Sequence, residues 1–93
     1  MASKKRPPQF VARFETSLLS SLKAAGIAAE VDHQPVPATK LYRMMVMAPK
    51  FKALKHYERQ DLVWRIAEKI LASNEQFKIS IILTLTPDEA AGR

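Results

Sequence analysis

The run LYRMMVMAPKFKALKHYERQDLVWRIAEKIL, residues 41–71, decides the fold. Residues 41–48 are largely apolar on both alternating faces, which predicts a central strand. Pro49 ends it. From about Tyr57 to Leu71 the pattern changes period: Leu62, Val63, Ile66, Ala67 and Ile70 return every three or four residues and predict the buried stripe of a long helix. Downstream, FKISIILTL (residues 77–85) reads as another strand. Alternation puts Phe77, Ile79, Ile81, Leu83 and Leu85 on one face, with Lys78, Ser80 and Thr84 opposite. A helix between two strands allows them to pair in parallel through a crossover.

Working outward, Phe10, Phe14, Leu18 and Leu22 recur at four-residue spacing with Val11 and Ala25 beside them, and predict an amphipathic helix. Gly26 is its expected stop, because it accepts a left-handed backbone. Residues 27–33 (IAAEVDH) alternate as a strand with one wet face, and QPVPATK (34–40) reads as a loop. Asn74 falls in a polar turn. At the other end Thr86, Pro87 and Glu89 form a capping-box signature for about one helical turn. The expected class is α+β, ordered α-β-β-α-β: a three-stranded mixed sheet with helices on one face. Residues 1–9 read as a flexible basic tail and 10–93 as a single domain. With Tyr42, Met44 and Val46 facing inward, Arg43, Met45 and Met47 join Glu30, Lys78 and Ser80 on the open face.

A hydrophobic content of 47% over 93 residues suits one small globular domain. No apolar run approaches the length of a membrane span, and the basic N-terminus lacks the apolar stretch of a secretory signal, so a cytoplasmic setting is expected. The chain has no cysteine, which excludes disulfides, thiol catalysis and thiolate metal sites together. The net charge of +6 is unevenly placed. Residues 1–13 hold Lys4, Lys5, Arg6 and Arg13 and no acid; residues 33–57 hold Lys40, Arg43, Lys50, Lys52 and Lys55 and again no acid. Such clusters attract nucleic acid, acidic proteins or anionic membranes.

The segments LYRMMVMAPKF, ERQDLVWRIAEKIL and TLTPDE together resemble the BolA-like proteins. That family has a hydrophobic strand, then a Ser-x-x-Phe-x-Gly turn and a helix opening Arg-His-Arg-x-Val-Tyr. Its last strand begins His-Ala-Leu and ends in Thr-Pro-x-Glu. Phe51, Arg59, Val63, the aromatic Trp64 and Thr86, Pro87 and Glu89 fall in register over roughly residues 18–89, with about two extra residues near Asn74. The resemblance implies a fold of the type II KH class. It also implies an iron–sulfur cluster shared with a monothiol glutaredoxin, held by the histidine of the last strand and a group in the loop between the first two strands. Here the sequence departs. Lys78 stands at the histidine position, Ala53 at the glycine, and Gln60 and Asp61 follow Arg59. A lysine ammonium is a poor metal ligand. His33, at the mouth of the loop, is a weak candidate for the other position, and no metal or cofactor is expected. The KH grip on RNA uses a Gly-x-x-Gly loop, and FKALKH (51–56) has no glycine.

No acid–base pair or nucleophile context stands out, and enzyme function is not expected. Tyr57, Trp64 and Leu71 repeat every seven residues and read as core edge. The leading expectation is a non-enzymatic BolA-like adaptor or regulatory domain acting on a protein partner, a monothiol glutaredoxin being the family's example. Its contact residues are Arg43, Met45, Met47 and Lys78. The alternatives are a KH-like nucleic-acid module using segment 40–59, with Lys40, Lys50, Lys52, Lys55 and Arg59 on phosphates, and an iron–sulfur adaptor.

Overall fold

The computed structural model describes residues 8–92, so the expected contribution of Lys4, Lys5 and Arg6 lies outside the described residues. The elements in order are α1 (Gln9–Ala24), β1 (Glu30–Pro35), β2 (Tyr42–Met47), a 3-10 turn (Pro49–Ala53), α2 (His56–Ile70), α3 (Ser73–Gln76), β3 (Ile79–Leu85) and α4 (Pro87–Ala90). The chain is α+β, with a mixed sheet of order β1-β2-β3. β1 and β2 form an antiparallel hairpin, and β2 and β3 run parallel, joined by the crossover through α2. No helix among the described residues is long and apolar enough to cross a membrane.

The stripe of α1 is buried as its spacing dictates: Phe10, Val11, Phe14, Leu18 and Leu22 meet Met44 and Val46 of β2, Phe51 of the 3-10 turn and Val63 and Ala67 of α2 in one core. Ala25 is exposed instead, because the helix has already ended. Gly26 reverses the chain at φ +81°, where an L side chain would be strained. Thr86 caps α4 by accepting from the Glu89 amide at 3.2 Å, while Glu89 Oε1 accepts from the Thr86 amide at 2.9 Å. This is the reciprocal box its sequence announces.

Four expectations are corrected. In β3 the buried residues are Ile79, Ile82 and Thr84, and Ile81, Leu83 and Leu85 face outward. The register explains it: Tyr42 pairs with Ile79 but Arg43 pairs with Ile81, so Ser80 is an extra residue and alternation restarts one position later. Phe77 lies in the turn before the strand and is 83% exposed. In α2 the centre of the buried stripe is Arg59, Val63 and Ala67; Leu62, Ile66 and Ile70 are half-buried flanks. Finally, β1 continues into the stretch read as a loop, with Pro35 paired to Tyr42. The Val36 amide donates to the Leu41 carbonyl, which fixes the alternation and turns position 35 toward the free edge, where a missing N–H costs no ladder bond. The residue stretch 73–76, expected as a turn, is the single helical turn α3.

Candidate interaction surfaces

The outer face of the sheet is built from rows across three strands. Glu30 pairs with Met47 and Met47 with Leu85; Asp32 pairs with Met45 and Met45 with Leu83; Gln34 pairs with Arg43 and Arg43 with Ile81. Met45, Met47, Leu83 and Leu85 are half-buried, Ile81 is 43% exposed, and among the described residues no helix covers them. The result is an apolar half-sheet with a polar and acidic border along β1. Arg43 lies on this face as expected and donates to Gln34 Oε1 at 3.3 Å. Lys78 does not. It precedes β3, and its ammonium sits 5.3 Å above the Phe10 ring at the start of α1, held by the ring's negative face.

Both sheet edges are blunted. On β1 the outward amide of His33 donates to Asp32 Oδ1 at 2.8 Å, and Pro35 has no amide to offer. On β3 the outward carbonyls belong to Ile82 and Thr84, because Leu85 faces β2 and accepts there from the Ala48 amide. Side chains of α2 reach over and take them. Gln60 Nε2 donates to Ile82 O at 2.7 Å and to Thr84 Oγ1 at 3.1 Å, and Arg59 Nη1 donates to Thr84 O at 3.3 Å. Trp64 Nε1 completes the network by donating to Gln60 Oε1 at 3.2 Å, so this aromatic packs at the core edge as its spacing suggests. Tyr57, by contrast, is 68% exposed. An edge treated in this way resists addition of a further strand.

The basic candidates separate into different roles. Arg59 is 4% exposed, and its guanidinium serves the interior. It donates through Nε to Phe51 O at 2.8 Å and Leu54 O at 3.1 Å, and through Nη1 to Thr84 O and to Glu89 Oε1 at 2.8 Å, which commits this side of the guanidinium to the fold rather than to a phosphate. The i, i+4, i+8 relation of Arg59 to Val63 and Ala67 carried that signal in the sequence. Lys50, Lys52 and Lys55 are exposed around the 3-10 turn, as expected. Lys50 Nζ donates to Gly26 O at 2.6 Å. Lys40 lies before β2, at the opposite end of the strand from this trio. Six strand residues span roughly 20 Å, so the five candidates do not form one patch.

His33 sits within β1 on the helix-facing side, where its Nδ1 lies 2.8 Å from Glu15 Oε2 of α1. Sequence separation hid this pair. Glu15, Asp32 and His33 each bring a ligand atom within 4.8 Å of the others. Their hydrogen bonds to one another and to the β1 backbone already tie α1 to the sheet edge. An iron–sulfur cluster does not fit these residues: among the described residues the imidazole has no second nitrogen or sulfur ligand beside it, and the ammonium at position 78 lies over the Phe10 ring.

No family model and no curated protein matches the chain. The BolA-like resemblance accordingly stands on the residues quoted for it.

Proposed function

We propose that the chain is a non-enzymatic adaptor of the BolA-like kind that binds a protein partner through the open face of its sheet. The observation that carries this reading is the side-by-side array of Met45, Met47, Ile81, Leu83 and Leu85 on an uncovered face. Blunted edges on β1 and β3 direct a partner to the face rather than to strand addition. Flexible methionine side chains suit an adaptable contact, and a partner with an apolar strip bordered by basic groups would match the β1 border of Glu30 and Asp32.

The test compares wild-type chain with Met45→Lys/Leu83→Lys as bait in extract of the native cell, at low and high salt. Both positions face away from the core, so the variant keeps its fold. A partner retained at high salt by the wild type, lost by this variant and rebound after purification supports the reading. A partner indifferent to both substitutions sinks it.

A second reading, binding of single-stranded nucleic acid, is favoured by one observation: among the described residues no carboxylate pairs with Lys50, Lys52 or Lys55. Phosphate contacts would give an affinity that falls steeply with salt.

A further inference from the structure

The loop after α1 and the 3-10 turn enclose a shallow groove of about 530 Å³, lined by Ile27, Pro49, Lys50, Lys52, Ala53 and Leu54. Its floor is carbon. Ile27 and Leu54 pack against the core on one side and are half-exposed on the other, and Pro49 and Ala53 lie open beside them. Its rim is cationic. The bond from Lys50 to Gly26 O ties the rim across to the end of α1, but a carbonyl is a neutral acceptor, so the ammonium keeps its charge. Lys52 and Lys55 have no carboxylate partner among the described residues either.

We propose that this groove receives a short acidic peptide segment, one that lays a single apolar side chain on the floor and offers carboxylates to Lys50 and Lys52. Charge complementarity and the apolar floor together select this occupant. A phosphate chain would satisfy the lysines and leave Ile27, Pro49, Ala53 and Leu54 wet. Among the described residues no aromatic lines the groove for a base to stack on. Two backbone seats a phosphate could use are absent or taken. Pro49 has no N–H at the start of the 3-10 turn. At the start of α2, Glu58 Oε1 accepts the Lys55 amide at 2.8 Å, so a carboxylate of the chain itself already occupies that anion position. This site shares no residue with the sheet face and does not depend on the reading given for it.

The experiment is fluorescence anisotropy with the full chain and a fluorescein-labelled short peptide carrying one leucine flanked on both sides by glutamates. Replacing that leucine by serine is expected to weaken binding about tenfold, the effect of losing one partly buried aliphatic side chain. Ala53→Glu puts a carboxylate on the groove floor at an exposed position, and Lys52→Glu reverses a rim charge. Each is expected to weaken binding by about tenfold or more, while Leu83→Lys on the sheet face leaves it unchanged. Circular dichroism confirms that each variant is folded. The proposal is overturned if the serine peptide binds as well as the leucine peptide, if neither peptide binds, or if single-stranded RNA displaces the labelled peptide as readily as unlabelled peptide does. A loss with Leu83→Lys equal to that with Ala53→Glu overturns it too, and would move the contact to the sheet face.

Discussion

Arg59 is the residue on which the packing of several elements converges. One buried guanidinium holds the carbonyls of Phe51 and Leu54 in the lead-in, the Thr84 carbonyl on β3 and the Glu89 carboxylate on α4. Removing it leaves these acceptors facing a void. Arg59→Ala is therefore expected to cost about 3 kcal/mol in urea unfolding, and Arg59→Lys should recover little, since an ammonium cannot reproduce the planar fork. A loss no greater than that of exposed Arg65→Ala would contradict the clamp. Its partner gives a pH signature. The Thr86 amide first, and then the Arg59 guanidinium, hold the Glu89 carboxyl below its ordinary value of 4.5. A carboxyl depressed in the folded state stabilises it above the unfolded value, and that stabilisation is lost as pH falls through the folded value. Glu89→Gln should accordingly be less stable than wild type near neutral pH, with the gap closing below about pH 4.5 as measured by denaturant midpoints. The Ala72 amide and Arg13 depress Glu75 in the same direction, so the Glu89→Gln variant keeps some acid sensitivity of its own.

At the scale of elements, legibility followed regularity. The four-residue recurrence in α1, the two-faced apolar run of β2 and the cap of α4 each obey one local rule, and each is found where that rule puts it. Alternation misplaces the faces of β3 because its apolar pattern is genuine but a bulge shifts its phase. Ser80 takes no partner, and the core then receives Ile82 and Thr84 instead of Ile81 and Leu83. A threonine suits a strand by propensity, but burying its hydroxyl requires a partner, and here Gln60 supplies the hydrogen bond. The two readings of the strand differ in a measurable way. Ile82→Ala should cost about 2–5 kcal/mol, whereas Ile81→Ala, on the open face, should cost under about 1 kcal/mol. The reverse order would restore simple alternation. The same contrast holds in the helices: Leu18→Ala should fall in the range of about 2–5 kcal/mol, and the half-buried flanks Leu62→Ala and Ile66→Ala nearer 1–2 kcal/mol.

For the whole molecule the question is which surfaces can act together, and the sheet answers it by separating charges that lie close in sequence. Lys40 and the trio Lys50, Lys52 and Lys55 stand at opposite ends of β2, six residues and roughly 20 Å apart. That distance exceeds the Debye length of about 8 Å at physiological ionic strength, so the two groups do not add their fields. Sequence proximity merges them because a strand and its flanking turns are contiguous in the chain. Arg59 drops out because its helix phase points it inward. Polyanion binding by this protein should therefore be weak, salt-sensitive and confined to one end. In a titration with single-stranded RNA, Lys50→Glu/Lys52→Glu/Lys55→Glu should lower the magnitude of the log–log salt slope by about 2, at roughly 0.7 for each phosphate that is no longer neutralised. Lys40→Glu and Met45→Lys/Leu83→Lys should leave the slope as it is. If Lys40→Glu lowers the slope as much as any single member of the trio, the anion spans the sheet and the two ends act as one surface. If the triple variant changes neither slope nor affinity, the lysines serve no phosphate, and the apolar face of β2 and β3 and the groove beside the 3-10 turn are left as surfaces for protein contacts.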